Sequence, residues 1–118
     1  MKKFVLLIFH GSSPLPGSDR WQSLPPEEQK RIYADYAALN NTQGFSPGLP
    51  MGLPAAAKTV RVRNGKVEIE NGPYLPEGAG GYSVFEAESM DEAIALASRI
   101  PAARLGGAIE IREVEKYW

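Results

Sequence analysis

The chemistry open to this chain starts from one histidine. His10 is the only side chain whose unperturbed pKa lies near neutrality. It follows the apolar run Phe4-Val5-Leu6-Leu7-Ile8-Phe9, so it stands where a strand leaves its sheet. From there an imidazole can reach a cavity and serve as general acid or base. The alternative is a ring bonded to loop backbone or standing in solvent. Ser12 and Ser13 follow closely. They lack the glycine-flanked elbow and the orienting acid of a nucleophilic serine, and turn hydrogen bonds account for them. Glu110 and Arg112 alternate with Ile109 and Ile111. If the isoleucines face the core, this pair points to the opposite side, where it binds a polar ligand or neutralises itself. Asp35 is expected in solvent, and Tyr36 on an apolar stripe whose hydroxyl could line a pocket.

Composition removes several classes of function. The chain has 118 residues, 13 basic and 14 acidic side chains, a formal net charge of −1 and no cysteine. The length is that of one domain, 1–118. Thiolate catalysis, disulfides and cysteine-ligated zinc are excluded. One histidine with scattered acids makes no ligand cluster, so no metal and no cofactor are expected. No basic stripe marks a nucleic-acid surface. Lys2-Lys3 and the short apolar run resemble the start of a signal peptide, but no cleavage site follows and the run cannot span a bilayer. A cytoplasmic protein without nucleic-acid or membrane partners is expected.

The elements that must position these side chains can be read along the chain. Residues 3–9 are apolar at both parities, the pattern of a central strand buried on both faces. Residues 11–24 read as a loop carrying Trp21. Pro26-Glu27-Glu28 opens a helix with an apolar stripe of Ile32, Tyr36 and Leu39, joined by Tyr33 and Ala37, and Gly44 is a candidate C-cap. The Pro/Gly-rich stretch 45–57 holds at most an edge strand or extended loop around Leu49-Pro50-Met51. Residues 59–70 form a hairpin about Asn64-Gly65, with Val62 facing Val67, Val60 facing Ile69 and Arg61 facing Glu68. After the turn Asn71-Gly72-Pro73-Tyr74 come a strand at 82–87 and a helix capped by Ser89 and Glu92. That helix buries Ala93, Leu96, Ala97 and Ile100 and is stopped by Pro101; a last strand covers 108–112.

The order predicts an α+β fold: a ferredoxin-like β-α-β-β-α-β skeleton with an extra hairpin and a mainly antiparallel sheet. Two helices cover one face of such a sheet. The face left open carries large apolar side chains, and the simplest cover is the same face of a second copy, so a homodimer is expected.

Asn71-Gly72-Pro73-Tyr74, Gly80-Gly81-Tyr82, Ser89-Met90-Asp91-Glu92-Ala93 and Ile100-Pro101-Ala102-Ala103-Arg104 resemble the YCII-related proteins of the DGPF type. The family's Asp-Gly-Pro-Phe motif is altered here at both outer positions. The spacer from Leu75 to Ala79 is shorter than the family's and lacks its lysine. The resemblance implies a dimeric α/β barrel, within a superfamily that includes muconolactone-isomerase-like and monooxygenase-like proteins. It also implies regulation as an alternative, because members are often encoded beside sigma factors of the extracytoplasmic type. Some members carry a His–Asp pair with the histidine on the first helix. This chain has none there, so the pair does not carry over.

Two functions follow. One is a small-molecule enzyme of isomerase or cofactor-free monooxygenase type, with His10 catalytic and Tyr36, Met51, Tyr74, Glu110 and Arg112 binding substrate. The other is a non-catalytic small-molecule-binding or regulatory module associated with sigma-factor signalling. In the first, His10 sits between the helix layer and the hairpin, with Tyr36, Met51 and Tyr74 beside it.

Overall fold

A computed structural model describes residues 1–117. Strand β1, Lys2–Phe9, is central in a four-stranded sheet. It pairs antiparallel with β5, Gly81–Ala87, and with β6, Ala108–Glu113. An edge strand β2, Phe45–Pro47, pairs antiparallel with β5, giving the order β2-β5-β1-β6. Strands β3, Lys58–Arg63, and β4, Lys66–Asn71, form a separate two-stranded sheet. The arrangement is an antiparallel α+β architecture consistent with a ferredoxin-like fold.

One face of the four-stranded sheet is covered. Phe4 and Leu6 are fully buried there with Phe85 and Ala87, and Ile8, Ile109 and Ile111 pack against them. Helix α2, Pro26–Asn40, contributes Leu39 to this cluster, and α3, Met90–Ala97, contributes Ala93 and Leu96. Removing a side chain such as Phe4 or Leu6 from water stabilises the fold by about 1.5–3 kcal/mol each. The opposite parity of β1, Val5, Leu7 and Phe9, is half-buried. Beside it stand Tyr82 and Val84 on one side and Glu110 and Arg112 on the other.

Several local expectations change. Trp21 lies in a short helix, α1, Asp19–Gln22, capped by Ser18; it is buried and meets Tyr33 edge-on at 5.4 Å. Tyr33 and Ala37 are exposed, so the core stripe of α2 is narrower than its apolar residues suggest. Gly44 is no C-cap: Asn41 caps α2, and Gly44, at φ 86°, turns the chain so that its carbonyl accepts from Glu86 N at 2.9 Å. The edge strand forms at residues 45–47 rather than around Leu49-Pro50-Met51, because Pro50 and Pro54 bring no N–H to a ladder. Pro101 does not stop α3. It opens a further turn, α4, Pro101–Arg104, where its missing N–H costs nothing.

Ser89 caps α3 as expected, accepting from Glu92 N, while the Glu92 carboxylate accepts from Glu88 N instead of the cap's own amide. Asp35 is not free in solvent: Arg104 bridges it, at 3.2 Å, and Glu28, at 2.7 Å, tying α4 to α2. These carboxylates hold the Arg104 guanidinium above its ordinary pKa, the Glu28 hydrogen bond being the largest cause. The hairpin has the expected register, Val60 to Ile69, Arg61 to Glu68 and Val62 to Val67. Its ion pairs are diagonal, Arg61 with Glu70 at 3.8 Å and Arg63 with Glu68 at 3.6 Å. Among the described residues no helix is long and apolar enough to cross a membrane.

Candidate functional site

The end of β1 is held by close backbone packing. Gly11, at φ 54°, turns the chain against Gly106, and Ser12 N donates to Gly106 O at 3.2 Å. Gly80 N donates to Ile8 O at 2.7 Å. The pairing of β1 with β5 therefore continues past Gly81 and brings Gly80 under the His10 ring. A β-carbon at Gly80 would stand 2.6 Å from His10 Nε2 and closer still to Cδ2. Only glycine leaves room for the imidazole there.

The ring borders a cavity of ≈ 320 Å³. Helix α2 supplies Tyr36 and Asn40, the sheet supplies Ile8 and Ser83, and Phe45 with the segment 47–50 forms a third wall. That segment is drawn in by Gly48 N, which donates to Tyr82 O at 3.0 Å. The volume lies in the range of small-ligand sites, with apolar walls and a few polar groups. His10 also borders a second recess of ≈ 270 Å³ with Ser13, Leu53 and Glu77.

Electrostatics sets the state of each polar group. Burial pushes the His10 pKa below its ordinary value of 6.5, and a hydrogen bond with the Gly80 backbone partly offsets this. The imidazole is therefore neutral at pH 7 and keeps a nitrogen lone pair for a proton. Burial raises the Tyr36 pKa, so its hydroxyl stays protonated and can donate. Ser83 is 2% exposed, and among the described residues its Oγ finds no hydrogen-bond partner. Its strand neighbours are Leu6 and Pro47, neither with a polar side chain. A buried hydroxyl left without a partner is costly, and this one lines the same cavity as His10 and Tyr36.

The structure brings together His10 and Tyr36 of the expected set, with Leu49 and Pro50 where Met51 was expected. Met51 is exposed and does not line this cavity. Tyr74 is 65% exposed and lies under Arg61, whose guanidinium carbon is 4.8 Å from the ring centroid. The hairpin forms no wall of the His10 cavity. Glu110 and Arg112 stand on the uncovered sheet face, paired at 3.1 Å. Glu110 borders a broader groove of ≈ 660 Å³ there with Phe9, Leu75, Glu77 and Ala108. That groove is larger, but the His10 cavity is the better site because the buried Ser83 hydroxyl and the half-buried His10 and Tyr36 side chains line it together. Ser83 and Asn40 were missed. The alternation of β5 puts Ser83 on the same face as Phe85 and Ala87, and a serine at a core position is the signal that could have found it. Among the described residues no group of three or more metal-ligating side chains forms.

Comparison with known proteins agrees with this architecture. Over 75 residues, 64% of this chain, the sequence is 31% identical to the adaptive-response sensory kinase SasA of Prochlorococcus marinus. The stretch is 19% of that kinase, so the likeness concerns a small part of it. The family model for the YCII-related domain matches residues 16–117, taking in Tyr36, Asn40 and Ser83 and beginning just after His10. With nearly its whole length matched, the chain belongs to the YCII-related domain family.

Proposed function

We propose that the protein binds a small, planar, polar molecule in the cavity of His10, Tyr36 and Ser83 and moves a proton on it. The observation that carries this reading is the Ser83 hydroxyl, buried and unpartnered in a cavity that also holds a neutral imidazole and a protonated phenol. A ligand carbonyl or hydroxyl would satisfy Ser83, and the Tyr36 hydroxyl would donate to a ligand oxygen. His10 would accept a proton from a carbon made acidic by that oxygen and return it to another carbon, an isomerisation that balances with the groups present. Cofactor-free oxygenation would begin with the same proton transfer and take dioxygen as co-substrate.

The partial match to a sensory kinase supports a second reading. In it the cavity senses a ligand without reacting, in a cytoplasmic regulatory module of the DGPF type tied to sigma-factor signalling. Both readings include a homodimer in which a second copy covers the uncovered sheet face, since Val5, Leu7 and Phe9 lie there without a helix above them.

A metabolite-library thermal-shift screen tests the site, because a specific ligand raises the melting temperature. The reading requires a ligand whose shift is lost in Ser83→Ala and which the wild type isomerises or oxidises. Loss of turnover in His10→Asn with binding retained supports proton transfer. Ligand binding without turnover in the wild type leaves the regulatory module. A ligand whose shift persists in Ser83→Ala and in Tyr36→Phe puts the site elsewhere.

A further inference from the structure

The hairpin β3–β4 is an arm that its own body does not use. Every residue of β4 is exposed. The register sets Val60 beside Ile69 and Val62 beside Val67 on one face, and these four are 61%, 66%, 66% and 65% exposed in that order. The other face carries Thr59, Arg61 and Arg63 with Lys66, Glu68 and Glu70. This polar face is turned to the protein's own chain, since Arg61 lies over Tyr74 and Thr59 Oγ1 donates to Gly72 O at 2.8 Å. The apolar face therefore looks outward. A lone two-stranded hairpin is marginal in water, and its four β-branched side chains, paired across the strands, gain no burial on the solvent face. The whole molecule shows the projection. Its radius of gyration is 16.3 Å, against about 13.5 Å for a compact domain of this length.

A second apolar surface with no helix above it lies on the same molecule: the half-buried Val5, Leu7 and Phe9 of β1 with Val84 and the exposed Tyr82 of β5. Six residues of extended chain give the arm about 20 Å of length, and four strands span about 14 Å, so one hairpin reaches across the sheet. We infer that the hairpin is an exchanged arm whose face of Val60, Val62, Val67 and Ile69 packs on the uncovered sheet face of a second copy, each copy clasping the other. The four arm side chains offer roughly 400 Å² of apolar surface, the size at which an exposed patch marks an interaction site. Two arms and the two faces they cover sum to roughly 1,300 Å², within the range of specific interfaces. Each residue of the contact is used once on each side, as an isologous dimer requires. The arm also lies over the groove of Phe9, Ala108 and Glu110, closing from the partner's side a concavity that one chain leaves open.

This inference rests on the homodimer proposed above, and the test separates the two. The chain has no cysteine, so single cysteines report contacts without background. Val62→Cys protein is mixed with Leu7→Cys protein, subunits are allowed to exchange, and the mixture is mildly oxidised. The expected result is a covalent dimer formed between the two variants, well above that from either alone. Cross-linking of Leu7→Cys with itself alone means that sheets stack directly, which overturns the arm and keeps the dimer. Cross-linking of Val62→Cys with itself alone means that arms pair with each other, which also overturns it. Sedimentation of Val62→Lys/Val67→Lys is the second measurement. A folded monomer by circular dichroism where the wild type is a dimer supports the arm, and an unchanged dimer refutes it. A wild type that is monomeric at micromolar concentration removes both the dimer and the arm.

Discussion

The His10 imidazole lies directly on Gly80, so close that a β-carbon at that position would occupy the space of the ring, 2.6 Å from Nε2. Strand β5 is thus extended by a residue that has no side chain because a neighbouring side chain fills its place. The site depends on this pairing, since the ring that rests against Gly80 also borders the cavity.

Gly80→Ala is therefore expected to leave the protein folded and to expel the imidazole. Because the chain has one histidine, a single pair of imidazole resonances reports the outcome by NMR. In the wild type the titration midpoint lies below the ordinary histidine value, and in Gly80→Ala it returns toward that value as burial is lost. Identical midpoints would show that Gly80 does not hold the ring in its buried place.

The depressed His10 pKa also sets a pH dependence of stability. The unfolded chain binds a proton near pH 6.5 and the folded chain only at lower pH, so between these values the unfolded state holds more protons. The His10 contribution is fully present above pH 6.5 and is lost as pH falls toward the folded value. Melting temperatures measured from pH 8 to pH 5 should fall more steeply for wild type than for His10→Gln. Parallel curves would contradict the burial of the neutral ring.

Ser83→Ala should stabilise the ligand-free protein. The hydroxyl is 2% exposed and unpartnered, and relieving a buried polar group without a partner is worth about 1 kcal/mol, or about 4 °C in melting temperature for a domain of this size. The same change should weaken ligand binding. A melting temperature lowered by Ser83→Ala would show that the hydroxyl is satisfied in the free protein.

Arg104→Ala should uncouple α4 from α2. It removes two ion pairs that are partly exposed, at 2.7 and 3.2 Å, and a loss of about 1 kcal/mol follows from pairs of this kind. The loss should shrink in 1 M salt, where charges on the surface are screened. Chemical denaturation by urea at low and high salt measures both. Leu6→Ala offers the contrast: a fully buried side chain whose removal costs about 2–5 kcal/mol at any ionic strength.

Much of this protein is determined locally and can be read without coordinates. The double parity of residues 3–9 makes β1 central, because a strand with neighbours on both edges and apolar residues on both faces has no other stable place. Asn64-Gly65 determines the hairpin and its register, because a type I′ turn needs positive φ at both residues, and they show 52° and 75°. Ser89 and Glu92 determine where α3 begins. These signals act over a few residues, so no long-range packing overrides them. The family is legible for the same reason, through short motifs at turns and caps.

The candidate site is legible in part: the chemistry of His10, the helical stripe that holds Tyr36 and the strand end at β1 can each be read locally. Whether these three coincide was decided by tertiary structure alone. The register of β5 places Ser83 beside Leu6 and Gly80 under the ring, and no local preference of Ser83 or Gly80 encodes that. Tyr74 was drawn away because a guanidinium on the neighbouring hairpin offered its ring a partner, an interaction between residues thirteen apart that propensity does not see. Met51 lies outside because the ladder of β2 ends at Pro47 and the bond from Gly48 N to Tyr82 O holds only residues 47–50 against the cavity. Local chemistry chose the groups; sheet register, which depends on pairing between distant segments, chose which of them meet.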